Sequence, residues 1–244
     1  MEEVIKYIKK LNIFDEYIVL ACSYGPDSMV LLDILKKENL NIVVAHVNHK
    51  LRKESDEEEK KLKEYCKQNN LIFENASINE YPKGNIEMYA RIYRYNFFEK
   101  VLKKYQSKYL FTAHHGDDLV ETIMMRLIRG TAFKGYSGFS VCTKREEYDI
   151  IRPLIYVTKK EIMEYAKNNH IHYALDYTNK DDSYTRNRIR NHILPLLKEE
   201  NKNIHKKFRK FSALINEYED YFNKETEKLF IRLYKNNRMD LNEF

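Results

Sequence analysis

Six consecutive residues, Ser23-Tyr24-Gly25-Pro26-Asp27-Ser28, follow a short apolar run and lead into a helical pattern. The first N–H groups of a helix lack internal partners and the helix dipole is positive at that end, so a pyrophosphate is a natural occupant there. Gly25 permits a sharp turn and a close approach of backbone to an anion. Pro26 suits the first helical position, and the Ser23 and Ser28 hydroxyls can donate hydrogen bonds. Asp27 beside phosphates makes chemical sense when Mg²⁺ bridges the two. Further on, His114-His115-Gly116-Asp117-Asp118 opens a second helical stretch, on which Asp118 and Glu121 share a face. Arg91, Arg94, Arg129 and the alternating Arg186, Arg188 and Arg190 offer planar forks suited to phosphate. Each feature has an ordinary alternative. The loop could be a serine-capped turn, Asp117 and Asp118 could be helix caps, and surface ion pairs with Arg126 or Arg129 would be worth under about 1 kcal/mol.

These residues need elements to position them. Residues 17–23 form a β-branched apolar run that reads as a buried strand. Further strands are expected at 41–47, 71–76, 109–113 and 150–155. Helices are expected from Pro26, at 54–70, at 85–105, at 117–129 with Gly130 as the stop, and at 158–169. Strands alternating with helices imply an α/β fold, a parallel sheet with helices on both faces. Ligands of such sheets bind beyond the carboxyl ends of the strands. The loop at Ser23, the His46–His49 segment and the His114 segment all follow strand ends, so they are expected on one rim.

After about residue 176 the texture becomes polar and then basic. The expected organisation is a catalytic domain over 1–184 and a basic helical segment over 185–244. From Arg186 to Lys210 there are nine Lys or Arg against two Glu, while the formal charge of the whole chain is +6. Concentrated positive charge of this kind attracts a phosphate backbone. Cys22, Cys66 and Cys142 are far apart and form no Cys-x-x-Cys pair, which argues for a reducing compartment and against a cysteine-based metal site. No apolar run is long enough to cross a bilayer, and a cytoplasmic protein is expected.

The loop resembles the Ser-Gly-Gly-x-Asp-Ser signature of the PP-loop ATPases, which release pyrophosphate and form an adenylated intermediate. Tyr24 departs from it, standing where the first glycine is expected. Either Tyr24 tolerates an unusual backbone angle or glycine is not needed there. Four further segments are similar to the tRNA(Ile)-lysidine synthetase family. They are Ala45-His46-Val47-Asn48-His49-Lys50-Leu51-Arg52, Glu87 to Tyr95, Thr112 to Thr122 with Arg126-Leu127-Ile128-Arg129-Gly130, and Asp176-Tyr177-Thr178-Asn179 leading to Tyr184 to Arg190. Five segments in family order define the resemblance, over residues 17 to about 197.

That resemblance implies ATP and Mg²⁺ as cofactors, with tRNA(Ile) bearing a CAU anticodon and free L-lysine as partners. It implies ligation of lysine to the wobble cytidine. Asp118 and Glu121 are then assigned to lysine binding or activation, with His115, Arg91 and Arg94 near the reacting atoms. The loop residues Ser23 to Ser28 bind ATP, with Asp27 as the Mg²⁺ ligand. His114, Asp117, Arg129, Arg186, Arg188 and Arg190 contact substrates. Two alternatives stay open: a tRNA thiolase of the same ATPase group, and a non-catalytic nucleotide- or RNA-binding module with a degenerate loop. The oligomeric state is also open, a homodimer being one option.

Overall fold

The computed structural model describes residues 1–52, 54–175, 182–235 and 238–239. The Asp176–Asn179 segment lies outside the described residues.

The elements run α1 (Glu2–Leu11), β1 (Tyr17–Ala21), α2 (Pro26–Lys37), β2 (Asn41–Asn48), α3 (Ser55–Gln68), β3 (Ile72–Ser77), α4 (Ile86–Lys104), β4 (Tyr109–Phe111), α5 (Gly116–Arg129), β5 (Cys142–Lys144), β6 (Asp149–Ile151) and α6 (Lys159–Asn168). Basic helical segments follow: α7 (Thr185–Arg188), a π-helical turn at Ile189–Ile193, α8 (Leu194–Glu200) and α9 (Ile204–Leu233). The sheet order is β3-β2-β1-β4-β6-β5. Its first five strands are parallel, and β5 is an antiparallel edge.

Side-chain alternation along the strands sends residues to two cores. Ile18, Leu20, Ile42 and Val44 join Leu31, Ile34 and Leu35 of α2, Val4 and Ile8 of α1 and Ile162 of α6 on one face. Val19, Val43, Ala45 and Leu110 meet Phe98, Val101 and Leu102 of α4 on the other. Helices thus cover both faces, as the alternating pattern requires. The strand expected at 150–155 is shorter, ending at Ile151, because Pro153 cannot supply a ladder N–H and opens a 3₁₀ turn at Pro153–Tyr156. Helix α1 and edge strand β5 were not foreseen.

The basic segment docks on the sheet domain. Phe208 of α9 packs on Leu119, Ile123 and Ile155. Ser212 Oγ donates to the Ser137 carbonyl, and Arg209 lies over the Tyr156 ring at 4.5 Å. No helix among the described residues is long and apolar enough to cross a membrane.

Candidate active site

β1 and β4 lie side by side, yet the chain leaves β1 toward β2 and leaves β4 toward β6. Their carboxyl ends therefore open a crevice at the point where strand order reverses, the place such sheets reserve for ligands. The loop 22–25 follows β1, and Thr112 to His115 follow β4.

Within the loop, Tyr24 takes φ 63°, the left-handed conformation that glycine favours. Its ring is buried in the core and its carbonyl accepts from the Ala174 amide at 3.0 Å. Gly25, to which the sequence assigned the sharp turn, instead has φ −77° and serves as the N-cap of α2. A Cβ on Gly25 would stand 3.3 Å from Ser23 Oγ, so the residue's smallness keeps the loop clear. Ser28 Oγ donates to the Gly25 carbonyl at 3.0 Å and accepts from the Ser23 amide at 3.2 Å, tying the loop to the first turn of α2. Asp27 Oδ1 is held by Lys159 Nζ at 2.6 Å. Nothing in the sequence signals Lys159, which is 132 residues away; only the α2–α6 neighbourhood brings it there.

Above the loop lies a cavity of roughly 430 Å³. Ser23, Asp27, Ser28, Arg91, Arg94, His114, Asp118, Arg186 and Arg190 all line it, together with His49, Tyr95, Thr112 and Asn187. Tyr24 and Pro26 do not line it and support it from within. His115 also lies behind the wall. Its Nδ1 accepts from the Asp118 amide at 3.3 Å while Asp118 Oδ2 accepts from the His115 amide at 3.0 Å, a reciprocal cap that starts α5. Asp117 is buried away from the cavity, where Oδ2 accepts from Lys198 Nζ at 2.7 Å and from the Lys159 amide at 3.0 Å. It fastens α5 to α6 and α8. Arg188 turns outward to the Asp182 and Ser183 carbonyls. Arg129 lies in an adjoining recess.

Asp118 and Glu121 share a face, and that face is already occupied. Arg186 Nε donates to Glu121 at 2.7 Å and its Nη2 to Asp118 at 2.9 Å. Arg190 reaches Glu121 at 2.7 Å and 2.9 Å and Asp118 at 3.5 Å. Glu121 is fully buried behind these forks and does not line the cavity, whereas Asp118 does. Arg186 and Arg190, one helical turn apart, meet this cluster together; Arg188 between them cannot. Burial pushes the Asp118 carboxyl up, but His115, Arg186 and the His115 amide outweigh it and hold it well below the usual carboxylate range. Burial lowers His114 to about 4 against the pull of Asp118. Burial, aided by the Arg94 charge, lowers His49 to about 4 as well. Both imidazoles are neutral at pH 7. Among the described residues Arg94 Nε is buried without a hydrogen-bond partner, and burial lowers that guanidinium's affinity for its proton. The balance of ionised groups on the wall is positive, four arginines against two aspartates, which suits a polyanion.

The PP-loop domain profile matches residues 2–197. The chain belongs to the PP-loop domain family. This is an ATP-utilising family. Among similar proteins are a tRNA(Ile)-lysidine synthase of Bacillus cereus, 42% identical over 91% of this chain and 49% of that protein, and one of Bacillus subtilis, 40% identical over the same shares. The bifunctional protein TilS/HprT of Listeria monocytogenes is 38% identical over 88% of this chain and 35% of its own. The chain spans about half the length of the first two relatives. The solved U34-tRNA thiolase NcsA of Methanococcus maripaludis superposes with a TM-score of 0.73 at 15% identity, covering 88% of this chain and 78% of that one, a likeness of fold.

The PP-loop residues fit a magnesium nucleotide. Mg²⁺ is commonly held by one or two carboxylates plus substrate phosphates, and Asp27 and Asp118 both face the cavity. Cys22 lines it too, but burial raises its thiol pKa, and its Sγ lies 3.8 Å from Met29 Sδ. That is not a poised nucleophile.

Proposed function

We propose that this chain catalyses ATP-dependent ligation of lysine onto the wobble cytidine of tRNA(Ile) with a CAU anticodon, forming lysidine and releasing AMP and pyrophosphate. One observation carries the reading: a phosphate loop, four arginines and Asp118 face a single cavity in a chain whose relatives are lysidine synthases. In the first step cytosine O2 attacks the α-phosphorus and the bond to the β-phosphate's bridging oxygen breaks. The α2 amides, Ser23, Ser28 and Arg94 would meet the charge on the departing pyrophosphate. Mg²⁺ bound at Asp27 would offset more of that charge. In the second step the lysine ε-nitrogen attacks C2, the C2–O2 bond breaks, and AMP leaves with that oxygen.

The amine must first lose a proton, and free lysine titrates at about 10.4. Asp118 is a poor proton acceptor, since its acid form is strongly disfavoured. We assign it to orienting the amine, which enters in competition with Arg186. Arg186 and Arg190 then act through charge, because neighbouring guanidinium groups disfavour the ammonium form and ease its deprotonation. Glu121 holds the two arginines. The same reading puts the reaction in the cytoplasm with its tRNA.

The test combines purified protein, tRNA(Ile) with CAU, ATP and labelled lysine. Lysine incorporation with one pyrophosphate released per lysine is expected. Pyrophosphate release without incorporation, accompanied by sulfur transfer from a supplied donor, would favour a thiolase instead.

A further inference from the structure

Beside the cavity above the loop lies a second recess of roughly 320 Å³, sharing Arg91, Tyr95, His114 and Arg186 with it. Its far wall is built from α5, Phe139 in the segment after it, and Arg152 just past β6. Among the described residues, five arginines line it and no acidic side chain does. Two of them are fixed without a carboxylate. Arg152 is buried and donates Nη1 to the Ser140 carbonyl at 3.0 Å and to Thr143 Oγ1 at 2.7 Å. Arg126 donates Nη1 to the Gly135 carbonyl and, at 2.8 Å, to the Gly138 carbonyl. Neutral carbonyls orient a guanidinium but leave its charge intact. The contrast with Arg186 and Arg190 is direct, since those two meet two carboxylates. The Phe139 ring lies between Arg152, at 5.4 Å, and His114, at 5.5 Å, so an apolar face stands beside the charge.

We infer that this recess is a nucleic-acid subsite, holding the backbone phosphate of the reacting nucleotide or its neighbour while ATP lies in the first cavity. The inference rests on the reading above that the substrate is an RNA. The shared wall explains the need for two compartments. The reacting base must reach the nucleotide's α-phosphate, while its own phosphodiester must stay out of the loop that grips pyrophosphate. Uncompensated arginines in a half-enclosed recess favour an anion strongly, because burial has already removed part of their water. A phosphodiester flanked by bases matches both the charge and the aromatic edge.

The experiment measures binding, not turnover. Met125 lines the recess without holding any backbone group, so Met125→Glu places a carboxylate among the arginines without removing one. Arg129→Gln, at the exposed rim, is the second variant. The probe is a CAU anticodon stem-loop RNA, titrated over a range of salt. Expected for Met125→Glu are a Kd at least about tenfold weaker and a log–log salt slope smaller by about 0.7–0.9. ATP affinity should stay within twofold and the melting temperature near wild type. For Arg129→Gln a smaller loss in the same direction is expected. Unchanged RNA affinity and slope in both folded variants would overturn the subsite, and so would a parallel loss of ATP affinity, which would make the recess part of the ATP site. If lysine is never incorporated but Met125→Glu still weakens RNA binding, the lysine reading falls and the subsite stands.

Discussion

The phosphate loop and the acid–arginine cluster face the same cavity but are built in opposite ways. The loop's hydrogen bonds among Ser23, Gly25 and Ser28 are local, joining residues two to five apart, and its two long-range ties are the partly exposed Lys159–Asp27 pair and the Ala174 amide on the Tyr24 carbonyl. The cluster joins residues 65 to 72 apart, Arg186 and Arg190 to Asp118 and Glu121. A local device can lose one side chain and keep its backbone. A long-range device of buried charges cannot lose one charge without stranding another. The two should therefore respond differently to substitution.

The largest effect is expected at Glu121. Glu121→Gln removes the charge that two guanidinium groups share in a fully buried position. Breaking a buried pair typically costs about 3–5 kcal/mol. The arginine side chains are 40% and 31% exposed, so the low end applies. Urea unfolding should show a loss of about 3 kcal/mol, with both half-reactions falling together. Loss of lysine transfer alone, at unchanged stability, would mean that Glu121 touches lysine after all. Asp118→Asn should behave differently because Asp118 faces the cavity. Adenylated tRNA should still form, while lysine transfer falls by about 10²-fold, the scale for a misplaced reactant.

At the loop the order reverses, with function lost and stability kept. Asp27→Ala and Ser28→Ala should each cut tRNA-dependent pyrophosphate release by about 10²-fold, the scale for removing a preorganised charge-stabilising group. Asp27 is partly exposed and its partner Lys159 is 40% exposed, so that pair is worth under about 1 kcal/mol. A folded Asp27→Ala protein with wild-type pyrophosphate release would remove the loop from the mechanism.

The same contrast says what could be read from the sequence. The loop, the strand ends and the helices that follow them lie in contiguous stretches, so residues 23–28 and 114–121 were legible as a rim. The sharing of Asp118 and Glu121 by Arg186 and Arg190 was not, because nothing in a linear pattern tells that a helix beginning at Thr185 folds back onto α5. Arg152 was missed for the same reason: it sits after a short strand that Pro153 cuts off, and its partners are Ser140, just before the edge strand, and Thr143, within a strand too short to announce itself. Asp117 looked like a second substrate acid beside Asp118. Successive helical residues point about 100° apart, and that rotation sends Asp117 to Lys198 instead.

Acid should probe both regions through their neutral histidines. His49 and His114 have folded pKa values of about 4, lowered by burial, against about 6.5 unfolded. Between those values the unfolded chain binds protons that the folded chain refuses, so stability falls as pH drops from about 6.5 to 4. Below that window Asp118 takes over, since its depressed pKa makes the unfolded state the better proton acceptor near the ordinary carboxylate range. Urea midpoints at several pH values should decline through this range. In His114→Gln the decline above pH 4 should be shallower. An unchanged profile would mean that His114 is solvated and free to ionise.

The smallest effect is expected at Tyr24, where two opposing costs nearly cancel. Its left-handed φ costs roughly 1–2 kcal/mol for a residue with a Cβ. Its buried ring contributes roughly 2–3 kcal/mol in return. Tyr24→Gly relieves the strain but gives up the ring and gains chain entropy in the unfolded state, so a net loss of about 1–2 kcal/mol is expected. Tyr24→Ala gives up the ring and keeps the strain, so it should be less stable than Tyr24→Gly by about 1 kcal/mol. The stability order Tyr, Gly, Ala is diagnostic, because at an ordinary φ alanine would outrank glycine. ATP affinity should stay within a few-fold in both, since the Tyr24 carbonyl is pinned by the Ala174 amide and the ring does not face the cavity. Alanine matching or exceeding glycine in thermal unfolding would show that the loop does not hold its left-handed turn in solution. A wild-type protein unable to bind ATP, rescued by Tyr24→Gly, would show that the tyrosine blocks the site it now supports.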